Sequence, residues 1–247
     1  MRQAVILTAA SLKTRYRNTV SGLVWVILNP LLIFGAQAFV FHNVLHINVA
    51  NYPLFLLSGL LPWVFLVQSV EMGTGAFTQS GKLLKSFPVH PFVILSSQIL
   101  DNLFNFLLSF TIILLPTALA FHFDWPRYLL VPLSIIPLFI FVISFVFLLA
   151  TVQVFFWDTR FVMSFAMSVA FYMTPIIYPI EFIEEKYRWI ISLNPFWQVL
   201  HPFQIAISGD LHLYSASLAN SFLTAALMAG LAFINWGRSK NEFYFYI

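Results

Sequence analysis

Residues 18–70 have the sequence NTVSGLVWVILNPLLIFGAQAFVFHNVLHINVANYPLFLLSGLLPWVFLVQSV, and none of these 53 residues is Asp, Glu, Lys or Arg. A helix needs about 20 predominantly apolar residues to cross about 30 Å of hydrocarbon. Backbone hydrogen bonds must be satisfied within the segment there, which favours helices. The stretch is therefore long enough for two spans, which we place near 23–44 and 53–72, on either side of the polar residues between His42 and Pro53.

The composition of the whole chain agrees with a membrane protein. Of its 247 residues, 60% are hydrophobic and only 9% are charged, whereas soluble domains carry about 25% charged residues. The mean hydropathy is +0.88. The absence of Cys excludes disulfides, thiolate metal sites and Cys nucleophiles. A formal net charge of +3 is too small to indicate a nucleic-acid-binding protein.

Further uncharged runs predict four more spans, so the fold class is an all-α integral membrane protein with six transmembrane helices in one domain, 1–247. Within Trp189–Gly209, Asn194-Pro195 and His201-Pro202 are expected to interrupt any helix twice, because proline removes a helical hydrogen bond and restricts the residue before it. We therefore predict short re-entrant or interfacial outer helices over 180–213. The four further spans lie near 96–120, 129–153, 161–179 and 214–236.

Basic residues predict the orientation, because cytoplasmic loops carry an excess of Lys and Arg. Six spans with both termini in the cytosol leave Arg127, Lys186 and Arg188 outside and nine basic residues inside. The segment Arg2–Thr19 is expected to be an amphipathic interface helix rather than a secretory signal, since the apolar run after it is too long for one. The nine inner residues are Arg2, Lys13, Arg15, Arg17, Lys82, Lys85, Arg160, Arg238 and Lys240.

Motifs for catalysis are missing from the sequence. A phosphate-binding loop needs G-x-x-x-x-G-K-[ST], but the Gly81-Lys82 pair has Ala76 at the first glycine position and Leu83 at the last. The chain is therefore expected to have no ATPase site, no catalytic residues and no metal site. The six histidines are expected to be solvated imidazoles in loops or at interfaces.

Two carboxylates and one loop are candidates for function. Ionisable residues inside a membrane are functional candidates by default, and Glu71 and Asp101 lie in or beside predicted spans. Either could take part in gating, or could simply reach water or a nearby lysine at the cytosolic end of its span. The loop Gly73–Pro91 could present one short helix to a cytosolic partner, or could be an ordinary connection.

The segment Thr14–Leu31, TRYRNTVSGLVWVILNPL, resembles the opening signature of type-2 ABC transporter permeases, in particular the polysaccharide and polyol-phosphate exporters. Those permeases follow the approximate pattern Y-R-x-T-x-L-G-x-x-W-x-x-x-x-P-L. Later stretches agree in the same order: GLLPW at 59–63, PIIYP at 175–179 and NPF at 194–196. The resemblance covers essentially the whole chain.

The resemblance implies a homodimer of permeases around a central path, joined by two copies of a separate ATPase subunit that would hold ATP and Mg. It implies export of an undecaprenyl-diphosphate-linked glycan (O antigen, capsule or teichoic acid) across the bacterial inner membrane. The cations among the docking residues could instead contact a lipid diphosphate or anionic headgroups. The candidate cytosolic docking residues are Arg15, Tyr16, Arg17, Lys82, Leu84, Lys85 and Phe87; the candidate path aromatics are Trp25, Phe34, Phe39, Trp63, Phe171, Tyr172 and Tyr178.

Alternative functions fit the residues less well. A drug or small-lipid exporter of the same superfamily lacks support from the opening signature. An ion-coupled carrier would need a carboxylate near the bilayer midplane or repeat symmetry, and neither is evident. An intramembrane enzyme acting on lipid-linked sugars would need clustered acidic or His residues, whereas Glu71, Asp101 and Asp158 are scattered along the chain.

Overall fold

The computed structural model describes residues 20–44, 49, 51–86, 89–120 and 125–247. The described part of the chain is helical and contains no strand. We number its α-helices in chain order: α1 Val20–Ala38, α2 Tyr52–Thr74, α3 Ala76–Gln79, α4 Gly81–Ser86, α5 Pro91–Ala120, α6 Trp125–Tyr128, α7 Val131–Phe155, α8 Thr159–Met173, α9 Glu185–Ser192, α10 Pro195–Ser208 and α11 Tyr214–Tyr246. A π-helical turn, Phe39–Val44, follows α1, and short 3₁₀ turns occupy Ile180–Phe182 and Leu211–Leu213.

Four segments of the described chain are long and apolar enough to cross a membrane: Tyr52–Thr74, Pro91–Thr117, Val131–Phe155 and Leu211–Tyr246. The other two predicted spans correspond to α1 and α8, whose apolar helical stretches are shorter, Leu28–Phe41 and Thr159–Met173. The all-helical fold is thus confirmed for the described residues, with four candidate spans, whereas the predicted spans near 23–44 and 161–179 remain predictions. The Arg2–Thr19 interface helix lies outside the described residues.

Helix α2 is the centre of the subunit, packed against α5, α7 and α10. Its leucines are buried on every side, including Leu56, Leu57 and Leu66 at 0% exposure. A helix that is apolar all round belongs in the interior of the bundle. Its hydroxyls are satisfied locally: Ser69 Oγ donates to the carbonyl of Phe65 at 2.8 Å, so they add no unpaired polar group to the core.

An amide on α5 joins that helix to α2. Asn102 Nδ2 donates to the carbonyl of Phe65 at 3.1 Å and to Ser69 Oγ at 2.8 Å. All three residues are buried. The bond fixes the register of α5 against α2, because sliding either helix would leave buried polar atoms unpaired.

Helix α11 packs mainly along α7 and α10. At 33 residues and 1.5 Å per residue it is about 50 Å long, which exceeds the hydrocarbon thickness. Tyr214 joins its start to α7, since the phenol donates to the carbonyl of Leu130 at 2.7 Å and shares a 3.0 Å hydrogen bond with Ser134 Oγ. Helix α11 is therefore longer than one crossing of the hydrocarbon requires.

The structure differs from two predictions, one at the end of the fifth predicted span and one in the predicted outer segment. The predicted span 161–179 continues as a helix only to Met173, because Thr174 is extended (ψ 129°) before Pro175. Conversely, α10 runs through Pro202 without a break. Pro202 and its neighbours are buried against α11 and α2, and this packing outweighs the cost of about 3 kcal/mol for an internal proline. Of the two predicted interruptions, only Asn194-Pro195 separates two helices, α9 and α10.

Asn194 shows why α10 begins where it does. Its Oδ1 accepts from the backbone N–H of Phe196 at 3.0 Å, as expected of an N-cap asparagine, and Pro195 occupies the first turn, where no N–H is needed. Asn194 Nδ2 donates to Thr174 Oγ1 at 3.0 Å. The start of α10 is thereby tied to the end of α8.

Candidate functional site

A groove between α2 and α8 is lined by four of the candidate residues, Trp63, Glu71, Phe171 and Tyr172. On α2, Trp63, Val67 and Glu71 recur every four residues and so share one face. On α8, Ser164, Ser168 and Tyr172 follow the same spacing. These faces enclose a cavity of about 280 Å³. A second cavity of about 170 Å³ shares Glu71 and Ser164 with the first, so we treat the two as one α2–α8 groove.

The end of the groove nearer α10 is aromatic. The Trp63 ring lies 5.9 Å from that of Phe171 and 5.8 Å, edge-on, from that of Phe196. Tyr172 lies 5.3 Å from Phe171, and its carbonyl accepts from the hydroxyl of Tyr178 at 2.8 Å. These are favourable aromatic separations. The structure thus brings together four of the seven predicted path residues.

The other end of the groove is charged. Glu71 and Arg160 both line the 170 Å³ cavity with Ser164. The position of Arg160 is fixed through its backbone N–H, which donates to Gln153 Oε1 at 2.8 Å, while Gln153 Nε2 donates to the carbonyl of Trp157 at 2.8 Å. The groove therefore has both an acidic and a basic residue in its lining.

Sequence reasoning did not select Arg160 or the serines of α8 as site residues. The signal was present: Arg160, Ser164, Ser168 and Tyr172 recur at every fourth position of one helix. We counted Arg160 only as an inner-face cation. A polar stripe on an otherwise apolar helix would have indicated the groove.

The three candidate path aromatics of the first predicted span do not line the α2–α8 groove. Phe34 is 9% exposed and belongs to the core of the subunit, so its predicted position along a path was wrong. Trp25 and Phe39 are about 60% exposed. Helix α1 packs mainly against α5 and α2. Trp25 on α1 and Phe39 at the start of the π-helical turn are exposed and do not line the groove.

The two candidate carboxylates have different environments. Glu71 is exposed in the groove. Asp101 is only 6% exposed on α5. Asp101 follows ten residues of α5, which begins at Pro91. Its burial argues against the alternative in which the carboxylate reaches water, and a role in gating stays a prediction.

The predicted docking loop contains two short helices, α3 and α4, instead of one. Lys82 and Lys85 are exposed on α4. Leu84 is 4% exposed and packs into the core, so its expected availability to a partner was wrong; it anchors α4 instead. Arg15, Tyr16, Arg17 and Phe87 lie outside the described residues.

An aromatic cluster packs the α3–α4 loop against α7 and α11. Phe77 of α3 packs edge-on against Phe147 of α7 at 5.8 Å. Trp236 of α11 lies 5.4 Å from Phe147 and 5.0 Å from Phe243. A methyl group added at Gly81, the first residue of α4, would lie 3.4 Å from Ile247 Cγ2. The end of α11 is therefore in contact with the loop that carries Lys82 and Lys85.

His201 departs from the expectation of solvated histidines. Its ring stacks on Trp197 with a centroid distance of 4.1 Å and an interplanar angle of 25°. His201 Nδ1 shares a 3.0 Å hydrogen bond with Ser217 Oγ on α11. Burial lowers the pKa of His201 to about 4, so the ring is neutral at neutral pH.

Several known proteins that are similar to this chain are named for the export of O antigen or the transport of polysialic acid. The chain is 32% identical over 197 residues to the O-antigen export system permease protein RfbA of Klebsiella pneumoniae, covering 77% of this chain and 74% of that protein. It is 29% identical over 204 residues to RfbA of Myxococcus xanthus, covering 81% and 78%. The polysialic acid transport protein KpsM of Escherichia coli is 22% identical over 194 residues, covering 76% and 74%.

A family comparison covers more of the chain than any of these relatives. The family model of ABC-2 type transporters matches residues 2–208, which include the α2–α8 groove and the α3–α4 loop. The match agrees with a helical membrane protein that has four candidate spans in its described residues. The chain belongs to the ABC-2 type transporter family.

Proposed function

We propose that the chain is the membrane subunit of an ATP-driven exporter that moves an undecaprenyl-diphosphate-linked polysaccharide, O antigen, from the cytosol across the bacterial inner membrane. The observation that carries this proposal is the likeness to O-antigen export permeases over about three quarters of both chains. Both termini lie in the cytosol, and Arg2–Thr19 and α4 face the ATPase subunit.

The α2–α8 groove supports a carbohydrate as the cargo. Aromatic rings offer apolar contact to the C–H faces of sugars, and Trp63, Phe171 and Tyr172 line one end. Serine hydroxyls both donate and accept hydrogen bonds, so Ser164 and Ser168 match sugar hydroxyls along the rest of it. Such a surface can hold successive sugars without fixing one register.

The exposed side of α8 supports a homodimer. Phe161, Phe165 and Tyr172 are each at least 70% exposed, and α8 packs only against α2 and the end of α7 among its main contacts. A second copy placed against α8 would close the groove into a passage. Without a second copy, the polar side of the groove, which includes Ser164 and Ser168, would face lipid, which is costly for unpaired polar groups.

The energy would come from another subunit, in which ATP and Mg are bound. The α3–α4 loop is suited to receive that subunit because Lys82 and Lys85 are exposed on α4 while Leu84 anchors the helix. Movement of the loop would reach α7 and α11 through Phe77.

The proposal is tested by deleting the chain from its own cell and measuring the surface glycan. We expect lipid-linked glycan to accumulate on the cytosolic side and surface glycan to be lost, with restoration by a plasmid copy. The purified chain alone should hydrolyse no ATP, and hydrolysis should appear when its ATPase subunit is added. Unchanged surface glycan in the deletion strain would contradict the proposal.

A further inference from the structure

A third cavity, of about 200 Å³, lies at the end of the subunit opposite to Lys82 and Lys85. It is enclosed by the first turn of α2, by the segment that follows α8 and by the face of α10 that runs from Trp197 to Ser208. Phe55, Ile180 and other apolar side chains form much of its wall. It shares no lining residue with the α2–α8 groove.

The framework of this cavity is held by buried hydrogen bonds. Gln204 Nε2 donates to the carbonyl of Pro175 at 2.6 Å, and the hydroxyl of Tyr52 donates to the carbonyl of Ile177 at 2.9 Å. The segment after α8 is thus attached to both α10 and α2. A pocket with fixed walls binds its ligand without the entropy cost of ordering them.

Polar atoms are placed around the apolar wall. Glu181 lines the cavity with an exposed carboxylate that forms no ion pair within the described chain. Gln204 keeps its Oε1 as an acceptor, because only its Nε2 is used on Pro175. Ser208 donates its hydroxyl to the carbonyl of Gln204 at 3.0 Å and keeps its oxygen lone pairs. Several acceptors therefore converge on one small space.

One side of the cavity is aromatic and uncharged. Trp197 and His201 form a stacked pair in its wall. Ser217 fixes the His201 ring through the 3.0 Å hydrogen bond to Nδ1, and burial keeps the ring neutral. An aromatic wall beside several hydrogen-bonding groups suits a ligand that has an apolar face and a polar edge.

The charge of the residues that line the cavity favours uncharged ligands over anionic ones. Glu181 is the one formally charged residue among those that line the cavity. Two arginines near the rim donate to main-chain carbonyls and keep their positive charge: Arg127 donates to Gly209 at 2.9 Å and Arg188 to Glu181 at 3.2 Å. Neither arginine lines the cavity. A carboxylate or phosphate on the ligand would meet Glu181, and like charges at short range repel.

We propose that this cavity is a binding site for one neutral sugar unit, in which Glu181 accepts hydrogen bonds from the ring hydroxyls and the stacked Trp197–His201 pair forms the apolar wall against the C–H face. Its volume equals about six or seven water molecules at about 30 Å³ each, which suits a single pyranose ring. It is below the range of about 300–1,000 Å³ typical of drug-sized ligands. The inference rests on the proposed function, since it takes the cargo to be a polysaccharide, and it assigns a preference for neutral over acidic sugars on leaving the membrane.

The test measures binding of soluble oligosaccharides to the purified full-length chain in lipid nanodiscs by saturation-transfer NMR. The probes are three neutral trisaccharides, of glucose, mannose and galactose, and the trimer of N-acetylneuraminic acid as the acidic probe. Glu181→Gln removes the charge at an exposed position and keeps the size of the side chain. Glu185→Gln, an exposed carboxylate outside the cavity, is the matched control, and Trp197→Phe tests the aromatic wall.

We expect at least one neutral trisaccharide to bind and the acidic trimer not to bind. The amide introduced by Glu181→Gln still accepts a hydrogen bond but lacks the charge that strengthens it, so the substitution should weaken the binding by about threefold to tenfold, with Glu185→Gln unchanged. Absence of binding by all three neutral probes, preference for the acidic trimer, or equal binding by Glu181→Gln and the original chain would overturn the inference. None of these results affects the proposed function, which is decided separately by the surface glycan of the deletion strain.

Discussion

The ring of Phe243, near the end of α11, packs edge-on against the ring of Phe77 in α3, with the centroids 5.4 Å apart. Both side chains are 0% exposed. The last turns of the chain are therefore part of the support for the α3–α4 loop, although more than 150 residues separate the two in sequence.

Replacement of Phe243 tests this support. Phe243→Ala should destabilise the chain by about 3–5 kcal/mol, as expected for a buried phenylalanine, and should lower export more than the amount of folded protein explains. Thermal unfolding in nanodiscs and surface-glycan assays measure the two effects. Phe245→Ala, two residues further on and 85% exposed, is the control. An equal effect of both substitutions would contradict the supporting role.

Gly73 permits the close approach of α2 and α7. A Cβ added there would lie 2.2 Å from Cγ1 of Val146, which is fully buried, so Gly73→Ala should destabilise by about 1–3 kcal/mol. Val146→Ala in the same chain should recover part of this loss. The matched control is Gly230→Ala, where nothing lies within 4 Å; it should leave the unfolding midpoint unchanged or raise it, because alanine favours helix over glycine by about 1 kcal/mol. Failure of Val146→Ala to recover stability would contradict the steric explanation.

Tyr172 is the most exposed aromatic side chain of the α2–α8 groove, at 70%. Tyr172→Ala should reduce the export rate by about fivefold, the equivalent of one aromatic contact of about 1 kcal/mol, with little change in the unfolding midpoint. Phe233→Ala on α11, 77% exposed and outside the groove, should leave export unchanged. Export would be followed as the appearance of surface glycan after expression is induced. Equal rates for the two variants would show that the groove does not contact the cargo.

His201 should make the stability of the chain dependent on pH in the acidic range. Its pKa is about 4 in the folded chain and 6.5 in the unfolded reference, so between these values the unfolded state binds more protons. Stability should therefore fall as the pH decreases from 6.5 to 4, by up to about 3 kcal/mol, and show no further loss from this group below pH 4. Unfolding midpoints of the original chain and of His201→Gln should converge as the pH falls. Parallel curves over this range would exclude the histidine as the cause.

Much of the fold could be predicted from charge spacing. The uncharged runs placed the helices that the structure shows as α2, α5, α7 and α11, because a charged residue inside hydrocarbon is costly and marks a boundary. The boundaries near prolines were less predictable. Pro175 follows the end of α8, whereas Pro202 lies within α10, and the difference depends on what each residue packs against.

The candidate site could be predicted only in part. Trp63, Phe171, Tyr172 and Tyr178 were selected as aromatics, and they lie together. Phe34 is aromatic too but faces the core, because which side of a helix is covered depends on neighbours that are distant in sequence. The cavity at Glu181 joins three separate segments of the chain, and no local pattern indicates that they meet.

Both ends of α8 are fastened to other elements. At its start, Gln153 of α7 bonds the backbone of Trp157 and Arg160; beyond its end, Asn194 bonds Thr174 and Gln204 bonds Pro175. A helix that is held by hydrogen bonds at both ends has little freedom to shift along its axis. A change in the width of the α2–α8 groove would consequently require α8 to rotate about its own axis or to bend at its middle, rather than to move along its axis.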